Sequence, residues 1–186
     1  MLKINEIYAS IQGESSHTGL PCIFIRLTGC NLRCSWCDTA YAFYAGNDLT
    51  IEETLQKVDT FGLPLVEITG GEPLLQEDVY PLMEALLKKG YRVMLETSGA
   101  LPIDKVPQRV IKILDIKCPG SGEEKKNHLE NLKLLSPHDE VKFVLLDRAD
   151  YEWSRDLLQK HNLSTTQVLF SPVYDKLNLK DLVQWI

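Results

Sequence analysis

The sequence predicts an α/β fold with six parallel strands, arranged either as a doubly wound sheet or as an incomplete barrel of the (β/α)6 type. Short apolar runs rich in β-branched residues alternate with segments whose apolar residues recur at helical spacing. Glycine or proline closes several of these segments, and alternating strands and helices favour parallel pairing through right-handed crossovers. The sequence contains no repeat and no linker, so residues 1–186 are predicted to form a single domain.

The apolar runs and the segments with helical spacing predict the following strands and helices. Parallel strands are predicted at 22–27, 65–69, 92–96, 110–117, 140–146 and 167–170. Helices are predicted at about 50–61, 78–89, 123–135, 150–161 and 178–186. Thr50 and Glu53 have the spacing of a capping box at the start of the first helix. Gly90 closes the apolar stripe of the second.

Composition and charge exclude several classes of protein. The 186 residues are 44% hydrophobic, which is enough for a full core, and carry 20 basic against 26 acidic residues, a net charge of −6. An acidic chain has no counterion-release drive toward nucleic acid or an anionic membrane. No apolar run approaches the roughly 20 residues of a membrane span, and the start has no signal-peptide pattern. We expect a cytoplasmic protein that binds neither nucleic acid nor membrane.

Three of the five cysteines lie on one short loop directly after the strand at 22–27. Cys30, Cys34 and Cys37 form the pattern C-x3-C-x2-C. An odd number of cysteines in a chain of this size argues against a disulfide framework. Structural zinc requires four ligands, whereas an iron–sulfur cluster held by three thiolates keeps one iron open. The spacing favours the cluster over a zinc site completed by His17, Asp38 or Cys118, and both over three inert thiols.

The two remaining cysteines have no such pattern. Cys22 is predicted to be a small core residue, since free cysteine is commonly buried. Cys118 begins the loop after the strand at 110–117 and is a weaker candidate for a fourth ligand, because a fourth thiolate would block the open iron.

Glycine and polar residues follow several of the predicted strands. They occupy 29–30, 69–72, 96–99 and 115–117. The carboxyl ends of parallel strands meet at one edge of a sheet or barrel, where ligands bind. We therefore predict that these segments and the cysteine loop form one site.

The cysteine loop, together with Gly-Gly-Glu-Pro at 70–73, resembles the radical S-adenosylmethionine (SAM) enzymes. The resemblance implies an incomplete (β/α)6-type parallel barrel. It also implies a [4Fe–4S] cluster on the three cysteines, with SAM bound through its methionine to the open iron. Electron transfer from the cluster then cleaves SAM to a 5′-deoxyadenosyl radical. The implied SAM contacts are Trp36, Cys37, Asp38, Gly71, Asp115, Ile116 and Lys117, with Glu72 and Ser98 as weaker candidates.

Within that superfamily the chain resembles the 7-carboxy-7-deazaguanine synthases of the queuosine pathway. The matching segments are 5–8, 11–14, 24–30, 36–39, 68–73 and 96–99. The implied reaction converts 6-carboxy-5,6,7,8-tetrahydropterin to 7-carboxy-7-deazaguanine with loss of ammonia and depends on Mg²⁺. The implied substrate contacts are Ile11, Gln12, Gly13, Arg26 and Thr69, and the implied Mg²⁺ ligand is Thr39.

Arg26 also has a physical argument of its own. It interrupts an otherwise apolar strand, where an unpaired charge is costly. Its guanidinium can clamp a carboxylate through two hydrogen bonds, which suits a carboxylated pterin. The alternative is a structural salt bridge.

The resemblance further implies a homodimer and a flavodoxin or ferredoxin as reductant. Family members usually continue past the last helix into a tail with a Gln and a His-Lys pair, and nothing in 178–186 matches it, so substrate affinity is the property we expect to differ. Two other functions stay open. One is a radical activase acting on a partner protein, and the other is a non-enzymatic zinc or iron–sulfur module.

Overall fold

The computed structural model describes residues 1–163 and 166–186. Its strands are β1 (Leu2–Ile11), β2 (Pro21–Leu27), β3 (Asn47–Leu49), β4 (Leu65–Gly70), β5 (Arg92–Thr97), β6 (Ile111–Ile116), β7 (Glu140–Leu145) and β8 (Gln167–Pro172). Its α-helices are α1 (Ile51–Asp59), α2 (Val79–Lys88), α3 (Arg148–Lys160) and α4 (Leu179–Trp185). The strands form one sheet in the order β3-β1-β2-β4-β5-β6-β7-β8.

Six strands, β2, β4, β5, β6, β7 and β8, are parallel and neighbour one another in chain order. This confirms the predicted α/β fold and, of its two forms, the incomplete barrel that the family resemblance implies. A doubly wound sheet reverses its strand order at a switch point, whereas this order never reverses, so the fold is the incomplete barrel. At the open edge β1 pairs antiparallel with β2, and β3 pairs antiparallel with β1.

Successive side chains of a strand point to opposite faces of the sheet, and this divides the buried apolar residues into two cores. On β2, Ile23, Ile25 and Leu27 pack into the large core between the sheet and the helices. Cys22 and Phe24 face the inside of the barrel and pack with Leu65, Met94 and Ile113. These inner residues stand near the starts of their strands, so the small apolar core closes one end of the barrel and leaves the carboxyl ends for polar side chains.

The helix predicted at 123–135 is absent. Residues 124–126 and 129–134 form short 3-10 turns instead. The reason lies in two asparagines: Asn127 bonds the backbone N–H and C=O of Lys117 at 2.9 Å each, and Asn131 bonds the backbone of Gly99, Leu101 and Ile103. Such side-chain bonds to the backbone compete with helix formation.

The other elements lie close to their predicted positions. The capping box of Thr50 and Glu53 is present at the start of α1. Neither β1 nor the three-residue β3 was predicted; β3 is short, and most residues of both strands are not fully buried. Within 1–163 and 166–186, no helix is both long and apolar enough to cross a membrane.

Candidate active site

A cavity of about 800 Å³ lies at the carboxyl ends of the parallel strands. Its volume is in the upper part of the range for small-molecule sites, roughly 300–1,000 Å³. The structure brings together most of the residues predicted for the site: Gln12, Gly13, Arg26, Cys30, Cys34, Trp36, Cys37, Asp38, Thr39, Thr69, Gly71, Ser98, Asp115 and Lys117.

Three of the predicted residues have side chains elsewhere. Ile11 is 59% exposed at the end of β1, and Ile116 is fully buried in the large core. Glu72 is also fully buried. Its carboxylate accepts hydrogen bonds from the Thr97 hydroxyl at 2.8 and 2.9 Å and from the Ser98 amide at 2.8 Å, so it ties the end of β4 to the end of β5.

The cysteine loop forms one wall of the cavity. The backbone N–H and hydroxyl of Ser35 donate to the carbonyls of Ser121 and Gly120, both at 3.0 Å, and the Arg33 amide donates to Glu123 at 2.7 Å. These bonds hold the loop against the segment after β6. Burial raises the pKa of Cys30, and a nearby Lys117 acts in the opposite direction.

Three thiols on one wall fit a [4Fe–4S] cluster, because each thiolate binds a different iron. Among residues 1–163 and 166–186, no three His, Cys, Asp or Glu side chains form a site for a single metal ion. Neither His17 nor Cys118 lines the cavity, and Cys118 is buried in the large core. Cys22 is buried in the inner core, as predicted. The donor set therefore suits a cluster with an open iron better than a closed zinc site.

Two glycines pack the end of β4 against the cysteine loop. A Cβ on Gly71 would lie 2.2 Å from the carbonyl oxygen of Gly29 and 2.7 Å from the Cβ of Cys30. Gly70 has φ +146°, and a Cβ there would lie 2.2 Å from the carbonyl oxygen of Leu27. Gly71 thus permits close backbone contact with the loop that carries the thiols, and Gly70 permits it with the end of β2.

Asp115 and Lys117 project from the end of β6 into the same cavity. The Lys117 ammonium lies 2.9 Å from Asp115 Oδ2. Asp115 Oδ1 is buried and has no hydrogen-bond partner among the described residues. A buried acceptor without a partner is costly, so this oxygen is suited to a ligand hydroxyl or N–H group.

Five charged residues that line the cavity were not predicted as ligands or contacts: Glu14, Glu67, Glu96, Lys142 and Lys176. Among them, Glu96 belongs to the segment 96–99 that was predicted to join the site. The Lys142 ammonium contacts Glu14, Glu96 at 2.8 Å and Asp115 at 3.9 Å. Glu67, Glu96 and Lys142 could have been found from the sequence, because each interrupts an apolar strand in the same way as Arg26.

Burial and neighbouring charges set the ionisation of the Glu67 and Glu96 carboxyl groups. Burial, followed by repulsion from Glu96, raises the pKa of Glu67 to about 8, although a hydrogen bond from Gln12 Nε2 opposes the rise. Burial also acts against the charged form of Glu96, but the adjacent Lys142 outweighs it and lowers the pKa of that carboxyl. At neutral pH Glu67 is therefore mostly protonated, whereas Glu96 is ionised.

Arg26 is held on the inner face of the barrel. Its Nε donates to Glu6 at 2.7 Å and its Nη2 to the Tyr8 hydroxyl at 2.9 Å, while the guanidinium lies 5.8 Å from the ring centre of Tyr41. Burial lowers the pKa of Arg26, but the bond to Glu6 and nearby negative groups more than compensate, and the pKa rises. These bonds use one edge of the guanidinium and leave Nη1 for a ligand.

Comparison with known proteins agrees with this geometry. Residues 24–116 match the radical SAM superfamily model. The chain is 53% identical to the 7-carboxy-7-deazaguanine synthase of Koribacter versatilis over 94% of this chain and 79% of that protein. It is 44% identical to that of Chlorobaculum tepidum over 100% and 86%.

A solved structure supports the same assignment. The structure of QueE from Escherichia coli superposes with a TM-score of 0.78 and 26% identity, covering 94% of this chain and 85% of that one. As a radical SAM protein, the chain uses a [4Fe–4S] cluster and SAM as cofactors. It belongs to the 7-carboxy-7-deazaguanine synthase family of the radical SAM superfamily.

Proposed function

We propose that this chain converts 6-carboxy-5,6,7,8-tetrahydropterin to 7-carboxy-7-deazaguanine with loss of ammonia, in the pathway to queuosine. The observation that carries the proposal is a single cavity in which the three thiols face an inner wall of paired charges. That wall offers both a cation for the substrate carboxylate and acceptors for the pterin N–H groups. A radical activase needs a surface that docks a protein. Buried charges that line a cavity do not serve that purpose.

Substrate binding is assigned to the inner wall. Arg26 Nη1 is placed to bind the substrate carboxylate through a charge-assisted hydrogen bond. The ionised Glu96 accepts from the amino and N–H groups of the pterin edge, and the protonated Glu67 can both donate and accept. Gln12 contributes less than expected from its side chain, because Oε1 already accepts from Glu14 N at 3.1 Å and Nε2 donates to Glu67.

Cofactor binding is assigned to the cysteine loop and the end of β6. Cys30, Cys34 and Cys37 hold the cluster, with the residues around Trp36 and Gly71 beside SAM. When bound, the cluster and SAM supply the radical that starts the reaction. The free Oδ1 of Asp115 accepts from SAM, and Lys117 keeps that carboxylate oriented.

Thr39 is the proposed Mg²⁺ ligand. Its hydroxyl donates to Asp38 Oδ1 at 2.8 Å, which leaves the lone pairs of the hydroxyl oxygen free. Mg²⁺ favours hard oxygen ligands and keeps several waters, so one threonine with substrate oxygens can hold it.

The remaining assignments concern the cellular setting. Residues 1–186 would act as one domain in the cytoplasm, with a flavodoxin or ferredoxin as the electron donor. A homodimer is supported by an apolar stripe on α4, where Leu179, Val183 and Ile186 are 63%, 73% and 73% exposed at helical spacing.

The direct test is turnover. The protein is reconstituted anaerobically with iron and sulfide and incubated with SAM, Mg²⁺, a reductant and the carboxytetrahydropterin, and 7-carboxy-7-deazaguanine is followed by mass spectrometry. An intact cluster that cleaves SAM but yields no deazaguanine would refute the proposal. Zinc in place of iron and sulfide would instead support the non-enzymatic module.

Two variants separate the assigned roles. Cys34→Ala is expected to abolish SAM cleavage. Arg26→Ala should leave substrate-independent SAM cleavage measurable while product formation falls by at least 100-fold, about the loss of one buried charge-assisted contact of roughly 3 kcal/mol. The exposed Arg109→Ala serves as the control for loss of a guanidinium. Loss of both activities in Arg26→Ala would make Arg26 structural.

A further inference from the structure

The loop between β1 and β2, residues 12–20, forms part of the cavity lining through Gln12, Gly13 and Glu14. We propose that Glu140, which lies outside the cavity, is a positioning residue that anchors this loop across the barrel and so sets the shape of the substrate site. The identity of the substrate rests on the proposed function above, whereas the anchoring does not.

The loop starts at one side of the sheet and is bonded to the other. It joins β1 to β2, while Glu140 begins β7, which is separated from β2 by three strands. The backbone N–H of Ser16 donates to both oxygens of Glu140, at 3.1 and 3.3 Å, and its hydroxyl donates to the same carboxylate. Beside it, Glu14 pairs with Lys142 on β7. The loop therefore spans the interior of the barrel.

The base of the loop is closed by its own backbone, but the tip is not. Gln12 N donates to the Leu20 carbonyl, and Gly19 N donates to the Gln12 carbonyl, both at 2.8 Å. At the tip, Ser15 has φ +65° and forms a turn with Thr18. The described contacts that fix the tip to the barrel wall come from β7, so its position depends on them.

The contacts with Ser16 account for the burial of the Glu140 carboxylate. It is 2% exposed, and within the described chain no Lys, Arg or His nitrogen lies within 4 Å of its carboxylate. An ionised group taken out of water is costly unless it is well hydrogen bonded. The three donor contacts from Ser16 supply that compensation, which is consistent with a carboxylate kept for the loop.

Removal of Glu140 should affect substrate binding alone. If Glu140 is removed, Ser16 loses its bonds to β7 and the tip keeps only the Glu14–Lys142 pair among its described bonds to that strand, so Gly13 and Glu14 are held less firmly against the cavity. The cysteine loop is held by other residues, around Ser35 and Glu123, so cluster assembly and SAM cleavage should not change.

The test compares Glu140→Ala and Glu140→Gln with the adjacent Asp139→Asn in the full reconstituted chain. Asp139 is a matched control, because it is equally buried but pairs with Lys112 at 2.9 Å on the other face of the sheet. Amide hydrogen exchange of residues 12–20 is measured without substrate, and KM, kcat and uncoupled SAM cleavage are measured with the carboxytetrahydropterin.

For Glu140→Ala we expect exchange in 12–20 to rise about ten-fold or more, since each hydrogen bond to a charged group contributes at least that factor. We also expect KM to rise about ten-fold, with kcat and uncoupled SAM cleavage within two-fold of the parent. Glu140→Gln keeps one acceptor and should restore part of both effects.

Unchanged exchange in Glu140→Ala would overturn the proposal, as would an equal rise of KM in Asp139→Asn, because that result would reflect general destabilisation. If the parent enzyme makes no deazaguanine, the proposed reaction fails, while the exchange measurement still decides whether Glu140 anchors the loop.

Discussion

Glu67 is expected to make the protein less stable as the pH rises, and replacing it should remove this effect. The side chain is 4% exposed, and burial raises the pKa of its carboxyl from 4.5 to about 8. Below pH 4.5 the acid is neutral in both the folded and unfolded states. Between pH 4.5 and 8 only the unfolded state releases the proton, so unfolding becomes easier as the pH increases.

The size of the effect follows from the shift. The displacement of the Glu67 pKa corresponds to a cost of about 5 kcal/mol once the pH exceeds both values, of which about 4 kcal/mol develops between pH 5 and 9. Glu67→Gln mimics the protonated acid and retains an acceptor for Gln12 Nε2, so it carries no such cost. For a chain of this size, about 4 kcal/mol corresponds to a difference of roughly 8–16 °C in Tm.

The assay is a pair of thermal melts at pH 5 and pH 9, followed by circular dichroism under anaerobic conditions with identical preparations and scan rates. The variant should melt several degrees above the parent at pH 9, with a much smaller difference at pH 5. The exposed Glu52→Gln is the control for loss of a carboxylate and should track the parent at both pH values. A Tm difference for Glu67→Gln that does not change with pH would refute the reasoning.

Three further changes test the packing and charges of the site. Gly71→Ala puts a methyl group 2.2 Å from the Gly29 carbonyl, so the cysteine loop must move; reconstituted iron per chain should fall several-fold, and full loading would contradict this. Lys142→Met leaves Glu14 and Glu96 without their paired cation, whereas Asp115 keeps Lys117. Its unfolding free energy should fall by about 3–5 kcal/mol in urea denaturation, and an unchanged value would show that the pairing is not stabilising. Thr39→Ala should weaken the response of activity to Mg²⁺, and an unchanged titration would remove Thr39 from the metal site.

The carboxyl-end site was predictable because parallel strands deliver their final residues to one edge. Cys30, Gly71 and Lys117 lie far apart in sequence, yet each follows a recognisable strand and each lines the cavity. The predicted helix at 123–135 failed for a different reason. The apolar residues of this segment do recur at helical spacing. However, Asn127 and Asn131 form hydrogen bonds with the backbone of distant segments, and no local sequence pattern shows where those partners lie.

By itself the sequence determined the α/β class, the six parallel strands and the three thiols, because apolar periodicity and ligand spacing are local properties of the chain. The strand pattern alone did not distinguish a doubly wound sheet from the incomplete barrel that the family resemblance implies; the tertiary structure showed the barrel, since strand order is a relation between distant segments. It also decided which buried charges meet. Lys142 compensates Glu14 and Glu96, whereas burial, followed by repulsion from Glu96, keeps Glu67 protonated, because burial and spatial neighbours together set the ionisation of each group.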